Sequence, residues 1–201
     1  MKTAEEIFTA LEKMFGAKRE TLDKWSVTAV VSAGYLRNAV QFLRDTAEVK
    51  LDMLVDIAGI DYLTYPNHEG PRFAVSYSFK SIENPGLRFR LKVLVSEASL
   101  KVPTLSDLYA NANWYEREVF DQFGIVFEGH PDLRRLLNHV EFVGHPLRKD
   151  YPAQKRQWLS TNDYLLPALE KRLEDLGYRV IQRSKEVETN DNEFLEGSIK
   201  A

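Results

Sequence analysis

Cysteine is absent from the 201-residue chain. This rules out disulfides, a thiol nucleophile, a zinc knuckle and an iron–sulfur cluster held wholly by thiolates. It also suits a reducing compartment. No apolar run approaches the ~18 residues that a membrane-spanning helix needs. Glu5, Glu6, Glu12 and Lys13 interrupt residues 1–16, so no secretory apolar region forms and a mature cytosolic start is expected. Neither charge dominates. There are 27 Lys and Arg against 30 Asp and Glu, a net −3, whereas a dedicated nucleic-acid binder usually carries a strong basic excess. The ten glycines never form GxGxxG, nor GxxxxGK followed by Ser or Thr, so nucleotide phosphates lack their usual cradle. GxSxG and HExxH are missing as well.

What is present is an ordinary globular composition, 44% apolar and 28% charged, long enough for one domain with extensions. Residues 4–15 place Ile7, Leu11 and Met14 at helical spacing. Thr3 with Glu6 forms a capping box, and Gly16 is a stop. Residues 25–31 are β-branched and predict a strand. Residues 35–46 predict a helix with Leu36, Ala39, Val40 and Leu43 inward. Residues 51–62 are ambiguous, a short helix running into a strand through Gly59. Residues 72–80 and 87–96 alternate, with Asn84-Pro85-Gly86 between them, and predict a hairpin. On the second strand Arg88, Arg90 and Lys92 face away from the apolar side. Residues 103–123 predict helix in one or two pieces, capped by Ser106 or Asn113 and ended by Gly124. The order predicts an α+β fold, with helices packed on a small mixed or antiparallel sheet, followed by a long extended C-terminal segment.

After Gly124 the character changes. Residues 125–152 hold two Gly-His-Pro triplets, at 129–131 and 144–146, fifteen positions apart. Residues before proline are pushed to extended backbone, so this segment crosses a surface. Only residues 132–140 could hold a short helix. Three of the four histidines, His130, His139 and His145, lie here with His68 far off. Without an i,i+4 pair or a thiolate, they are better read as hydrogen-bonding to structure or partner than as metal ligands. Arg134, Arg135, Arg148 and Lys149 are offset by Glu128, Asp132, Glu141 and Asp150. Such balance suits an ion-paired protein interface better than a phosphate groove. A solvated loop is the plainer alternative, but Leu133, Leu136, Leu137, Val140, Phe142, Val143 and Leu147 make it sticky unless covered.

Glu116, Glu118 and Asp121 could form an acid/base site. Glu118 and Asp121 share a helix face, and Glu116 lies well round from Glu118. Arg117 and Asp121, at i,i+4, would more simply pair. Residues 163–177 predict a last helix, 178–181 a strand, and 184–201, with five acidic against two basic residues, a disordered tail.

The stretch from Glu116 to Pro152 resembles the signature of the thirty-kilodalton subunit family of respiratory complex I, the proton-pumping NADH:quinone oxidoreductase, known in bacteria as its C subunit. The pattern falls on Glu116, Arg117, Glu118, Asp121, Gly124, Ile125, Phe127, Gly129, His130, Pro131, Leu133, Arg134 and Arg135, followed by GHPLRKDYP. The resemblance implies a scaffold without flavin, cluster or quinone of its own, with FMN and iron–sulfur clusters on partner subunits. It implies a place in the peripheral arm, beside the D subunit, which is hydrogenase-large-subunit-like, and other quinone-end subunits. There electrons pass from NADH to quinone, coupled to proton translocation. The location implied is peripheral, on the cytoplasmic face of the bacterial inner membrane, reached only through the complex. No catalytic, cofactor-binding or metal residue carries over. From motif position and charge, His130, Arg134, Arg135, His145, Arg148, Lys149 and Asp150 are the expected partner contacts. The expected organisation is a core domain over 1–124, an extended partner-binding segment over 125–152, a C-terminal helical segment over 153–183 and the tail over 184–201. After Pro152 the chain departs from the short tail of many members, which leaves the contacts of 153–201 open. An equivalent subunit of a membrane-bound hydrogenase or a ferredoxin- or F420-linked relative is the alternative reading, and a stand-alone enzyme using the three carboxylates a distant one.

Overall fold

The computed structural model describes residues 2–20, 27–155, 157, 160 and 162–178. Helix α1 (Ala4–Phe15) starts at the expected capping box. The Glu6 amide donates to Thr3 Oγ1 and the Thr3 amide to Glu6 Oε2. Ile7, Phe8 and Leu11 turn inward, whereas Met14 stays exposed. Strand β1 (Lys18–Glu20) pairs antiparallel with β2 (Val27–Val31). The three charged residues of β1 carry no periodic signal. Trp25 and Ser26, at the head of the expected strand, lie outside the described residues. A short 3-10 turn leads into α2 (Leu36–Asp45), whose Leu36, Ala39, Val40 and Leu43 are all buried as their spacing predicts.

The ambiguous stretch 51–62 resolves as strand, β3 (Met53–Asp61), without a helical turn. The hairpin follows as β4 (Phe73–Lys80) and β5 (Arg88–Val95), in register Phe73↔Val95 through Lys80↔Arg88. The sheet runs β1-β2-β5-β4-β3 and is mixed, because β2 and β5 pair parallel across a crossover that carries α2. Phe73, Val75, Tyr77 and Phe79 share one face with Phe89, Leu91, Val93 and Val95, and these close the core with Ile7, Leu11, Leu36 and Leu43. Lys92 departs from the alternation. It is buried and reaches Glu20 and the Tyr62 hydroxyl, as an amphipathic arm can when its ammonium finds partners.

The region expected as helix from Pro103 begins differently. Strand β6 (Lys101–Pro103) pairs parallel with β7 (Val126–Glu128), and helix α3 (Ala112–Phe123) starts only after a loop. The loop is fastened to the end of the sheet, with the Tyr109 hydroxyl donating to Leu51 O and Asn111 Nδ2 to Leu54 O. The N-cap of α3 is Asn111 rather than Ser106 or Asn113, and its side chain serves β3 instead of the helix. Phe123 lies against β3 so closely that a Cβ on Gly59 would sit 2.4 Å from its ring. That contact puts α3 on the apolar face of the sheet.

The chain divides into two compact units, residues 1–140 with 144–151, and residues 141–143 with 152–201. The compact unit that holds the sheet therefore continues past residue 124 through most of the following segment. Residues 132–140 form turns and bends, with no helix. In the second unit, α4 (Asn162–Asp175) carries Leu165 and Leu169 exposed, and Leu176 just beyond it is exposed as well. There Gln157 exchanges two hydrogen bonds with the backbone of Val143, and the Ser160 amide donates to Glu141. Tyr178 is irregular. The expected strand at 179–181 and the tail 184–201 lie outside the described residues.

Candidate partner-binding segment and its seat on α3

Helix α3 offers one acid and one base to the segment after it. Asp121 is fully buried. Its Oδ1 accepts from Arg135 Nη1 at 2.7 Å and Asn138 Nδ2 at 3.1 Å. Its Oδ2 accepts from the successive amides of Leu136, Leu137 and Asn138 at 3.1, 2.8 and 2.8 Å. Those amides belong to a turn without ladder partners, so the carboxylate does for them what secondary structure does elsewhere. Burial pushes the Asp121 carboxyl up, but the Asn138 amide and the Arg135 guanidinium outweigh it and hold it at about 2. Arg117 completes the exchange by donating to the carbonyls of Arg134 and Arg135 at 3.2 and 3.3 Å, its guanidinium over the Trp114 ring. The expected Arg117–Asp121 pair does not form, because each finds a geometrically better partner across the segment.

The two Gly-His-Pro triplets hold opposite ends of α3. The Asp132 amide donates to His130 Nδ1, so the proton sits on Nε2, which donates to Asn113 O at 3.1 Å. His145 Nδ1 donates to Asp121 O at 3.0 Å. Burial lowers the His145 pKa; the bond to Asp121 O opposes this, and the charges of Arg148 and Arg135 lower it further. The last four carbonyls of a helix have no partner within it. Here the Gly124 amide takes Phe120 O, Arg135 and His145 take Asp121 O, the Leu147 amide takes Gln122 O, and Arg148 Nε takes Phe123 O. Two of these donors are arginines, which also suit the negative end of the helix dipole. Gly124 is required twice over: its φ is +76°, and a Cβ would meet Arg148 and His145 side-chain nitrogens at 2.5 Å.

A second buried carboxylate fixes the far end. Asp61 binds Arg72 through two hydrogen bonds of 2.9 Å and accepts the Lys149 amide at 2.9 Å; Asp150 pairs with Arg72 at 2.9 Å. Burial raises the Asp61 carboxyl, but Arg72 and the amides of Lys149 and Leu63 bring it to about 2. Sequence reasoning missed Asp61 and Arg72. The signal was a charged residue at an inward register position of β3, in line with Leu54, Ile57 and Gly59.

The expected partner contacts thus split. The polar groups of His130, Arg135, His145 and Arg148, the Lys149 amide and the Asp150 carboxylate bind within the chain. Arg134 faces outward with 72% of its side chain exposed, pairing with nearby Asp132, and the Lys149 side chain is exposed. Beside them Leu137, Val140 and Leu147 are 66%, 83% and 53% exposed. Gly129 and Pro131 lie at the surface. The three carboxylates Glu116, Glu118 and Asp121 do not converge: Glu116 turns to Thr104 and Leu105, Asp121 to residues 135–138, and Glu118 to the surface. Among the described residues no group of three His, Asp or Glu is placed to hold a metal ion, and no helix is long and apolar enough to cross a membrane.

Residues 29–157 match the family described as respiratory-chain NADH dehydrogenase, 30 Kd subunit. The chain is 45% identical over 147 residues to the C subunit of NADH-quinone oxidoreductase from Laribacter hongkongensis, covering 71% of this chain and 74% of that protein. It is 43% identical over 153 residues to the protein of the same name from Burkholderia vietnamiensis, covering 74% and 76%. A solved trypsin-resistant fragment of Nqo5 superposes with a TM-score of 0.57 at 36% identity, covering 64% of this chain and 98% of the fragment.

Proposed function

The chain belongs to the 30-kilodalton subunit family of respiratory-chain NADH dehydrogenase, and from that premise we propose that it is a cofactor-free scaffold of the enzyme's peripheral arm. As one component of an NADH–quinone oxidoreductase it takes part in electron transfer to quinone without contributing a redox centre. A chain without cysteine cannot supply an all-thiolate cluster. FMN and the iron–sulfur clusters sit on other subunits, and proton translocation is driven elsewhere in the complex. The partner is the hydrogenase-large-subunit-like component together with its quinone-end neighbours. The chain is peripheral, at the cytoplasmic face of the inner membrane, and held there by the complex.

One observation carries this reading: the segment after α3 is tied down on its inner side while Arg134, Leu137, Val140 and Leu147 stand exposed on its outer side. A segment already ordered by its own body loses little further conformational freedom when a partner covers it. It also presents apolar side chains that a solvated loop has no use for. Positioned redox partners tolerate little error, since a displacement of ~1 Å can cost ~10²-fold in rate. A rigid spacer is therefore useful chemistry even without a reactive group.

The test is the double variant Leu137→Glu with Val140→Glu, expressed in place of the natural chain. Both side chains are exposed, so the chain itself stays folded. The expected result is that cluster-bearing and flavin-bearing subunits no longer co-purify with it from membranes. Full recovery of the complex with the double variant overturns the reading.

A further inference from the structure

Three carboxylates are buried among the described residues, and one of them is unlike the other two. Asp61 and Asp121 each face an arginine and at least two backbone amides. Glu116, fully buried on α3, has no lysine or arginine within ion-pair distance among the described residues. Its Oε1 accepts the Leu105 amide at 2.6 Å and its Oε2 the Thr104 hydroxyl at 2.5 Å. An ionised carboxylate in that setting is poorly compensated, and such groups commonly take up a proton instead.

The surroundings supply a route for that proton. Thr104 Oγ1 lies within hydrogen-bond distance both of Glu116 Oε2 and, at 2.9 Å, of the Ser106 hydroxyl, which is half-buried. A hydroxyl has one proton to donate, so it serves one of the two at a time. With Glu116 ionised, Ser106 donates to Thr104 and Thr104 to Glu116. With Glu116 protonated the chain runs the other way. We propose that Glu116 is a buried proton-binding site that exchanges with solvent through Thr104 and Ser106. Each hydroxyl accepts one proton and passes one on, so the net change is one solvent proton bound and one carboxylate made neutral.

The groups facing Glu116 agree with this. Arg37 of α2 is engaged by Asp107 and by Thr104 O. The Tyr77 phenol of β4 is driven well up by burial and by Glu116, and stays neutral. His130, 4.0 Å away, donates its Nε2 proton to Asn113 O instead. Burial raises the Glu116 pKa to about 7; the Thr104 and Leu105 hydrogen bonds oppose the rise, Asp107 adds to it and Arg37 reduces it. Because this pKa is raised, the group favours folding most at acid pH. Its contribution falls as pH rises from about 4.5 through about 7.

This inference rests on the chain alone and is independent of its assembly. In the purified full chain, carbon-13 NMR of the glutamate carboxyls, followed from about pH 4 to about pH 9, should show one that titrates near pH 7. The Leu105 amide proton should shift with the same midpoint. Glu116→Gln should remove both signals and flatten the fall of stability with pH. Thr104→Val, which deletes a donor to the anion, should raise the midpoint, and Thr104→Ser should restore it. The proposal is overturned if every glutamate titrates near ~4.3, or if the Leu105 shift has no midpoint near 7. An unchanged midpoint in Thr104→Val overturns the route through Thr104.

Discussion

The five-stranded sheet and the segment over 125–151 are held by opposite chemistry. The sheet is closed by apolar side chains, with Tyr77, Phe73, Phe79, Phe89 and Leu91 among the most completely buried. The segment is held by charge-assisted hydrogen bonds to two carboxylates and to the free carbonyls of one helix. Apolar burial is non-directional and tolerates small shifts. A five-donor carboxylate fixes the path of the backbone. The sheet therefore supplies stability, and the polar attachments set where the segment runs.

The largest test of that division compares two truncations of similar expected cost. Phe89→Ala should cost about 3–5 kcal/mol as a core cavity. Asp121→Ala should cost about 3–5 kcal/mol, because it leaves three amides without their acceptor and takes the counter-charge from Arg135. Urea unfolding gives the totals, and amide hydrogen exchange should separate them. Phe89→Ala should lower protection throughout the first unit, whereas Asp121→Ala should first expose the amides of 136–138. Equal loss in the sheet would make the two regions one cooperative unit and end the comparison.

Acid should separate the regions next. Both Asp61 and Asp121 are held at about 2, below the usual carboxyl range. Their contribution is complete above the unfolded value near ~4 and is lost as pH falls toward about 2. Each is worth roughly 2 kcal/mol over that window. NMR from about pH 6 down to about pH 2.5 should show the Leu137 and Lys149 amides moving before those of β4 and β5. Glu116 has the opposite sign over a higher range, so acidification first stabilises the loop at Thr104 and only later loosens the segment.

Legibility in the sequence followed the same division. Alternation found β4 and β5, helical spacing found α1 and α2, and the capping box marked the start of α1, because apolar burial repeats with the period of the element. Strands β1, β6 and β7, of three residues each, are too short to carry a period. The signature residues were all visible, but their partners were not. Asp121 meets residues 135–138 and Asp61 meets Lys149, and no periodicity announces which amide a buried carboxylate will take. Charge balance in 128–150 suggests an ion-paired interface with a partner, and sequence alone does not reveal that Arg135 and Asp150 pair with Asp121 and Arg72 of this chain. Even Gly124, foreseen as a helix stop, has its second reason only in the side chains of His145 and Arg148. Gly124→Ala should cost about 1–3 kcal/mol from the left-handed backbone alone. It should also disturb the His145 ring signal, which a purely local strain would leave in place.

The smallest effect on stability belongs to the sharpest contrast, two adjacent arginines. Arg135 enters the Asp121 site and also reaches Asp121 O and Gly144 O. Arg134 points out, and its side chain pairs with Asp132. Arg135→Glu should therefore destabilise the isolated chain, by setting a second carboxylate beside Asp121. Arg134→Glu should stay within about 0.5 kcal/mol of the natural chain. In cells the pattern should change. Arg134→Glu should lower the amount of assembled complex while leaving quinone affinity unaltered in whatever assembles, measured as quinone reductase activity per assembled complex across a range of quinone concentrations. Normal abundance with altered quinone affinity would place Arg134 near the reaction and not at a supporting contact. Reduced abundance with a fully stable chain would mean that the outer side of the segment works at the interface and the inner side only within the fold.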